Sequence, residues 1–136
     1  TYYQGKTYQP TQGAGTYYLI TQPKIMTTTN QNRKQITDYL AQQFSLSEEQ
    51  IESMIPALIT TLAGHMDNLE AVLATGDLRQ LGKAGHTMKG ALLNLGLMDC
   101  AEIAYSIEKK GKAADPGTDY SQLVGQLRSM IDVYLD

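Results

Sequence analysis

His86 is the residue of this chain best suited to chemistry, and it sits in the string Ala84-Gly85-His86-Thr87-Met88-Lys89-Gly90-Ala91-Leu92-Leu93-Asn94-Leu95-Gly96. An ordinary imidazole, with a pKa of about 6.5, is largely unprotonated near neutral pH and is then a nucleophile able to accept a phosphoryl group. If the segment is a helix, Lys89 and Gly90 lie three and four residues on and therefore flank the ring. Lys89 would offset the charge of a phosphoryl group in transition state and product, and Gly90 would leave the surface bare. Gly82 and Gly85 add two more glycines, each costing about 1 kcal/mol of helix propensity relative to alanine. A helix that accepts three such costs needs close backbone approach. The expected visitor is a second protein bringing its own phosphoryl carrier past Gly82, Gly85 and Gly90, with Lys83 on the rim.

At about 100° per residue His86 points roughly 200° away from Met88, which lies on the apolar stripe of the same helix, so the imidazole should be exposed. Leu93 and Leu97 return to within about 20° of its direction, and they are expected to form an apolar docking strip in line with it. The competing expectation is that Ile36, Tyr39 and Leu40 cover Leu97 and part of Leu93.

The elements that must position this string follow from the apolar spacing, which is helical from Gln35 onward. Ile36, Tyr39, Leu40 and Phe44 predict a short amphipathic helix. Ser47 and Gln50 form a capping box before a long stripe of Ile51, Met54, Ile55, Leu58, Leu62, Met66, Leu69 and Leu73. Pro56 falls inside that stripe and is expected to kink or divide the helix near Ile55. Gly76 is placed to end it, and Asp77 with Gln80 reads as a second capping box. Leu78, Leu81, Ala84, Met88, Leu92 and Leu95 mark the next helix. Asp99 and Glu102 restart another, which carries Cys100, Ile103, Ala104 and Ile107 to Lys109-Lys110, with Gly111 beginning its stop. After the loop Asp115-Pro116-Gly117, Leu123, Val124, Leu127, Met130, Ile131, Tyr134 and Leu135 supply the last helix. The predicted class is all-α, an antiparallel up-down four-helix bundle over residues 35–136 with a short additional N-terminal helix.

Residues 1–34 are a different polymer. They hold Lys6, Lys24, Arg33 and Lys34 with no acidic residue, and five tyrosines among Gln, Thr, Gly and Pro in the first 25 positions. That composition suits an extended or turn-rich segment, read here as an expression-derived extension or a linker ahead of Met26. A tyrosine-lined stacking surface for bases is the minor alternative. The whole chain has 136 residues, 11 Lys+Arg against 14 Asp+Glu and a net charge of −3, which argues against a dedicated nucleic-acid binder. The lone Cys100 excludes an intramolecular disulfide and a multi-cysteine zinc site, and it reads as a core residue in a cytoplasmic protein. Met54, Met66, Met88 and Met130 read as packing residues, not metal ligands, and His65 as structural or solvent-facing. No apolar run is long enough to cross a bilayer.

The motif His86-x-x-Lys89-Gly90-x-x-x-x-x-Gly96, with the long helix before it, the Ala74-Thr75-Gly76-Asp77 turn and the following helix with Glu108 near its end, resembles the histidine-containing phosphotransfer (HPt) domain of two-component phosphorelays. The resemblance covers about residues 35–135. It implies that His86 accepts a phosphoryl group from a receiver-domain aspartate and passes it to another receiver, that Lys89 assists charge neutralisation, and that Gly90 permits docking. It further implies response-regulator receivers and an upstream hybrid histidine kinase as partners, with any Mg²⁺ arriving on the receiver and no cofactor of the domain's own. Ala91 stands where many members carry a small polar residue, and Gly85 replaces the commoner alanine. A monomeric, stand-alone bacterial module is expected. Two other classes compete: a docking module that binds or inhibits a kinase or receiver without taking phosphate, and an enzyme acting on a small substrate. The latter is disfavoured because an exposed convex helix offers no pocket.

Overall fold

The computed structural model describes residues 21–135, with side chains from Gln31 onward. Every element among them is helical: α1 Thr21–Phe44, α2 Glu48–Thr75, α3 Leu78–Asn94, α4 Met98–Lys112 and α5 Tyr120–Leu135. The chain divides into two units, Thr1–Arg33 and Lys34–Asp136. Of the first unit the helical backbone is described from Thr21 and the side chains from Gln31. The extended reading of residues 1–20 therefore lies outside the described residues, whereas residues 21–25 are helical. Pro23 is tolerated there because it falls in the first turn, where its missing N–H has no intrahelical partner to lose. The predicted short helix is thus the C-terminal part of a 24-residue one.

Within the second unit α2 packs on α3, α3 on α4, α4 on α5, and α5 returns to α2. Short joins between consecutive packed helices make them antiparallel neighbours in an up-down bundle. The joins are built from local chemistry. Ser47 and Gln50 form the full reciprocal capping box of α2, and Gly76 closes the same helix at φ 79°. Asp77 accepts from the Gln80 N–H and caps α3 in one direction only. α4 begins at Met98 after Leu97, with no side-chain cap, so the start expected at Asp99 comes one residue earlier. Asp115 accepts from Gly117 N and Thr118 Oγ1, and Tyr120 Oη donates to the Asp115 carbonyl at 2.6 Å, folding the last loop onto the foot of α5.

The core is one cluster that includes Ile36 and Leu40 of α1, Ile51, Leu62, Met66 and Leu69 of α2, Leu81, Met88 and Leu92 of α3, Ala104 and Ile107 of α4, and Leu127 and Ile131 of α5. On the surface, Arg128 ties α5 to α2 through Asp67 (2.8 Å) and Glu70 (2.5 Å). Two details of α2 differ from the sequence pattern. The helix runs unbroken past Pro56, which is exposed, so the Glu52 carbonyl that loses its partner there can turn to water. Met54, placed on the buried stripe by spacing, is 37% exposed, and Ile59 occupies the core instead.

Candidate functional site

α3 carries Leu81, Ala84, Met88 and Leu92 into the core, and this fixes His86 on the outer side of the helix. Its side chain is 61% exposed. The ring is not free: Nδ1 lies 2.9 Å from Oε2 of Glu108 on α4. Lys89 Nζ lies 2.7 Å from Oε1 of the same carboxylate, an ion-pair distance off the alignment of a good hydrogen bond, and Lys112 Nζ donates to Oε2 at 3.0 Å. Burial by itself pushes the Glu108 carboxyl up, but Lys89, Lys112 and His86 outweigh it and hold its pKa at about 2. Glu108 is therefore an anion at neutral pH and can only accept, so the contacting His86 Nδ1 must carry the proton. In the neutral ring the lone pair is then on Nε2, the nitrogen that does not contact Glu108.

The glycines explain how a residue on α4 reaches His86. A Cβ on Gly82 would stand 2.6 Å from Lys112 N, and one on Gly85 would stand 2.9 Å from Glu108 N. A Cβ on Gly111 would meet Gly82 Cα at 2.7 Å. Bare backbone therefore lets α3 and α4 close together and brings Glu108 level with the imidazole. This corrects two expectations. Gly82 and Gly85 are buried in the α3–α4 seam and offer nothing to an incoming protein, and Gly111 is a packing residue inside α4, not its stop. The sequence asked for close backbone approach, but the visitor is the neighbouring helix. Gly90 alone of the three around the motif keeps open space, with nothing within 4 Å of a Cβ there.

The predicted docking strip is also revised. Leu93 is on the surface, 40% exposed, and Lys83 is exposed, but Leu97 is 2% exposed and lies in the core cluster with Ile36 and Leu40. Extrapolating 100° per residue to position 97 fails because α3 ends at Asn94 and Gly96 turns the chain at φ 76°. The covering alternative holds for Leu97, which is buried with Ile36 and Leu40, while Tyr39 packs over Gly96.

Three features were missed in the sequence. Glu108 has no role in the sequence pattern, although it falls on the buried face with Ala101, Ala104 and Gly111, and an acidic residue on such a face signals a partner. Tyr105, one turn earlier, places its exposed ring 4.9 Å from Lys89 Nζ. Finally, the face bearing His86 is not simply convex. A groove of roughly 400 Å³ runs between α2 and α3 and is lined by Leu58, His65, His86, Thr87, Gly90 and Ala91, among others. His65 is thus a partly buried groove wall.

Cys100 is buried, and burial raises its thiol pKa, which suits a core residue. Among the described residues no group of three or more His, Cys, Asp and Glu side chains could hold a metal ion, and no helix is long and apolar enough to cross a membrane.

The helices thus place the His86 imidazole at the surface of the bundle, with Nδ1 against an ionised carboxylate. A family model described as the Hpt domain matches residues 39–135, and the chain belongs to that family of histidine phosphotransfer domains, the carriers of phosphorelays that work with receiver domains and kinases. The search of curated proteins and the search of solved structures each returned no match.

Proposed function

We propose that His86 is the phosphoryl acceptor of this domain, charged by an aspartyl phosphate on one receiver and discharged to the aspartate of another, downstream of a hybrid histidine kinase in the cytoplasm. The observation that carries this reading is the His86–Glu108 contact on a largely exposed side chain, which supports a proton on Nδ1 and a nucleophilic lone pair on Nε2.

In the transfer, the Nε2 lone pair forms the N–P bond as the bond from phosphorus to the aspartyl oxygen breaks, and the aspartate leaves as a carboxylate. No proton moves, because Nδ1 keeps its own. The positive charge that develops on the ring is met by Glu108, already ionised and already in place. Lys89 has two tasks: it keeps Glu108 ionised, and it adds positive charge beside the incoming phosphoryl group. The domain's one carboxylate at the site is taken up by His86, Lys89 and Lys112, so Mg²⁺ for the transfer comes with the receiver's aspartates. The open space at Gly90 and the groove beside it admit the receiver, and the exposed Leu93 and Lys83 of the same helix are further candidates for its contact.

Incubation with a phosphorylated receiver, read by intact mass and acid treatment, tests the reading. Wild type should gain a single acid-labile phosphoryl group, and His86→Gln should gain none while remaining folded. Tight receiver binding without any charging of wild type would favour the docking module instead.

A further inference from the structure

Lys89 has two partners on α4. Its ammonium contacts Glu108 Oε1 at 2.7 Å and lies over the ring of Tyr105, 4.9 Å from Nζ to the centroid. Lys109 Nζ approaches the same ring at 5.6 Å. Tyr105 precedes Glu108 by three residues and Lys109 by four on α4, so the helix presents ring and carboxylate on one flank. Tyr105 is 48% exposed, which is a poor place for so large a ring unless it covers something. What it covers is the charged end of a lysine whose side chain is only 24% exposed.

The consequence lies in the freedom of the lysine. A lysine carries a compact charge on a flexible stem, and a single ion pair at a wet edge holds it weakly. An aromatic face attracts the cation through its quadrupole without neutralising it. The charge therefore stays whole, available both to Glu108 and to a phosphoryl group on the neighbouring imidazole. Resting on the acceptor role of His86, we propose that Tyr105 is a positioning residue for phosphoryl acceptance, its ring pinning the Lys89 ammonium against Glu108. It touches neither His86 nor the phosphoryl group and acts only through Lys89.

The test uses the whole chain with Tyr105→Leu and Tyr105→Phe. One readout is exchange of the Lys89 ammonium protons with water, followed by ¹⁵N NMR. The other is the initial rate at which phosphoramidate, with no receiver present, transfers its phosphoryl group to His86 and releases ammonia. A cation–ring contact of this exposure corresponds to about a two- to fivefold effect. Exchange should speed up by that factor in Tyr105→Leu and the rate should fall by it, with Tyr105→Phe close to wild type in both because the ring face remains. Either readout unmoved in Tyr105→Leu, or Tyr105→Phe behaving like Tyr105→Leu, overturns the proposal. A defect seen only with a phosphorylated receiver makes Tyr105 a docking residue and overturns it as well. If wild type takes no phosphoryl group on His86, the acceptor reading fails, and the exchange measurement alone then decides whether Tyr105 holds Lys89.

Discussion

The two flanks of α3 face neighbours in opposite ways. Toward α4 the helix is stripped to glycine at positions 82 and 85, the backbones touch, and a buried carboxylate gathers three nitrogen partners. Toward α2 the helix leaves a groove open along His86, Thr87, Gly90 and Ala91. The seam fixes the nucleophile, and the groove leaves room for whatever comes to it. One residue type serves both flanks, because a missing Cβ permits contact where a helix is present and leaves space where none is.

The contrast breaks most visibly at Gly85. Gly85→Ala forces a methyl group to within 2.9 Å of the Glu108 backbone nitrogen, which α4 can relieve only by moving away. The expected cost is about 2–3 kcal/mol of stability by denaturant unfolding, accompanied by loss of the His86–Glu108 contact in the imidazole NMR spectrum. A variant as stable as wild type would show that the seam is looser than its geometry.

Glu108→Gln probes the charge held by that seam. The folded-state pKa of about 2 lies below the ordinary value of 4.5, so the carboxylate stabilises the protein fully above pH 4.5 and ceases to do so as the pH falls toward 2. Wild type should exceed Glu108→Gln by about 1–2 kcal/mol at pH 7, a figure reduced because solvent screens a cluster at the rim of the bundle. The difference should shrink through the acid range, as urea midpoints at pH 7 and pH 3 would record. Phosphoryl acceptance at neutral pH should fall about tenfold, because a neutral amide replaces a charge-assisted acceptor.

The smallest effect is expected on the open flank. Gly90→Ala meets nothing within 4 Å and should raise stability by about 0.5–1 kcal/mol through helix propensity alone. Transfer from a receiver should nevertheless slow several-fold while phosphoramidate labelling is unchanged, since only a docked protein would feel the added methyl group. Equal slowing with both donors would mean that the open space serves His86 itself.

Much of this architecture was legible in local sequence, because caps, stops and apolar periods act within a few residues. The Ser47–Gln50 box, the left-handed Gly76, the exposed phase of His86 and the burial of Met66 and Met88 all follow from spacing alone. For Glu108 and the seam glycines a partner distant in sequence intervened, and for Leu97 a break in the helix did. Glu108 is separated from His86 by 22 positions, and no helical period connects them. Gly82 and Gly85 were correctly marked as places of close approach, but a single helix cannot say from which side the approach comes. Leu97 shared a direction with His86 only on a helix that ran on, and Gly96 ends it.

The sequence by itself determined five helical segments, the caps and turns between most of them, and a histidine on the outside of one with a lysine and a glycine beside it. Only the tertiary structure decided which nitrogen of that histidine is free. That choice depends on α4 lying against α3 closely enough for one carboxylate to claim Nδ1, and such proximity is set by the packing of two helices, not by the period of either.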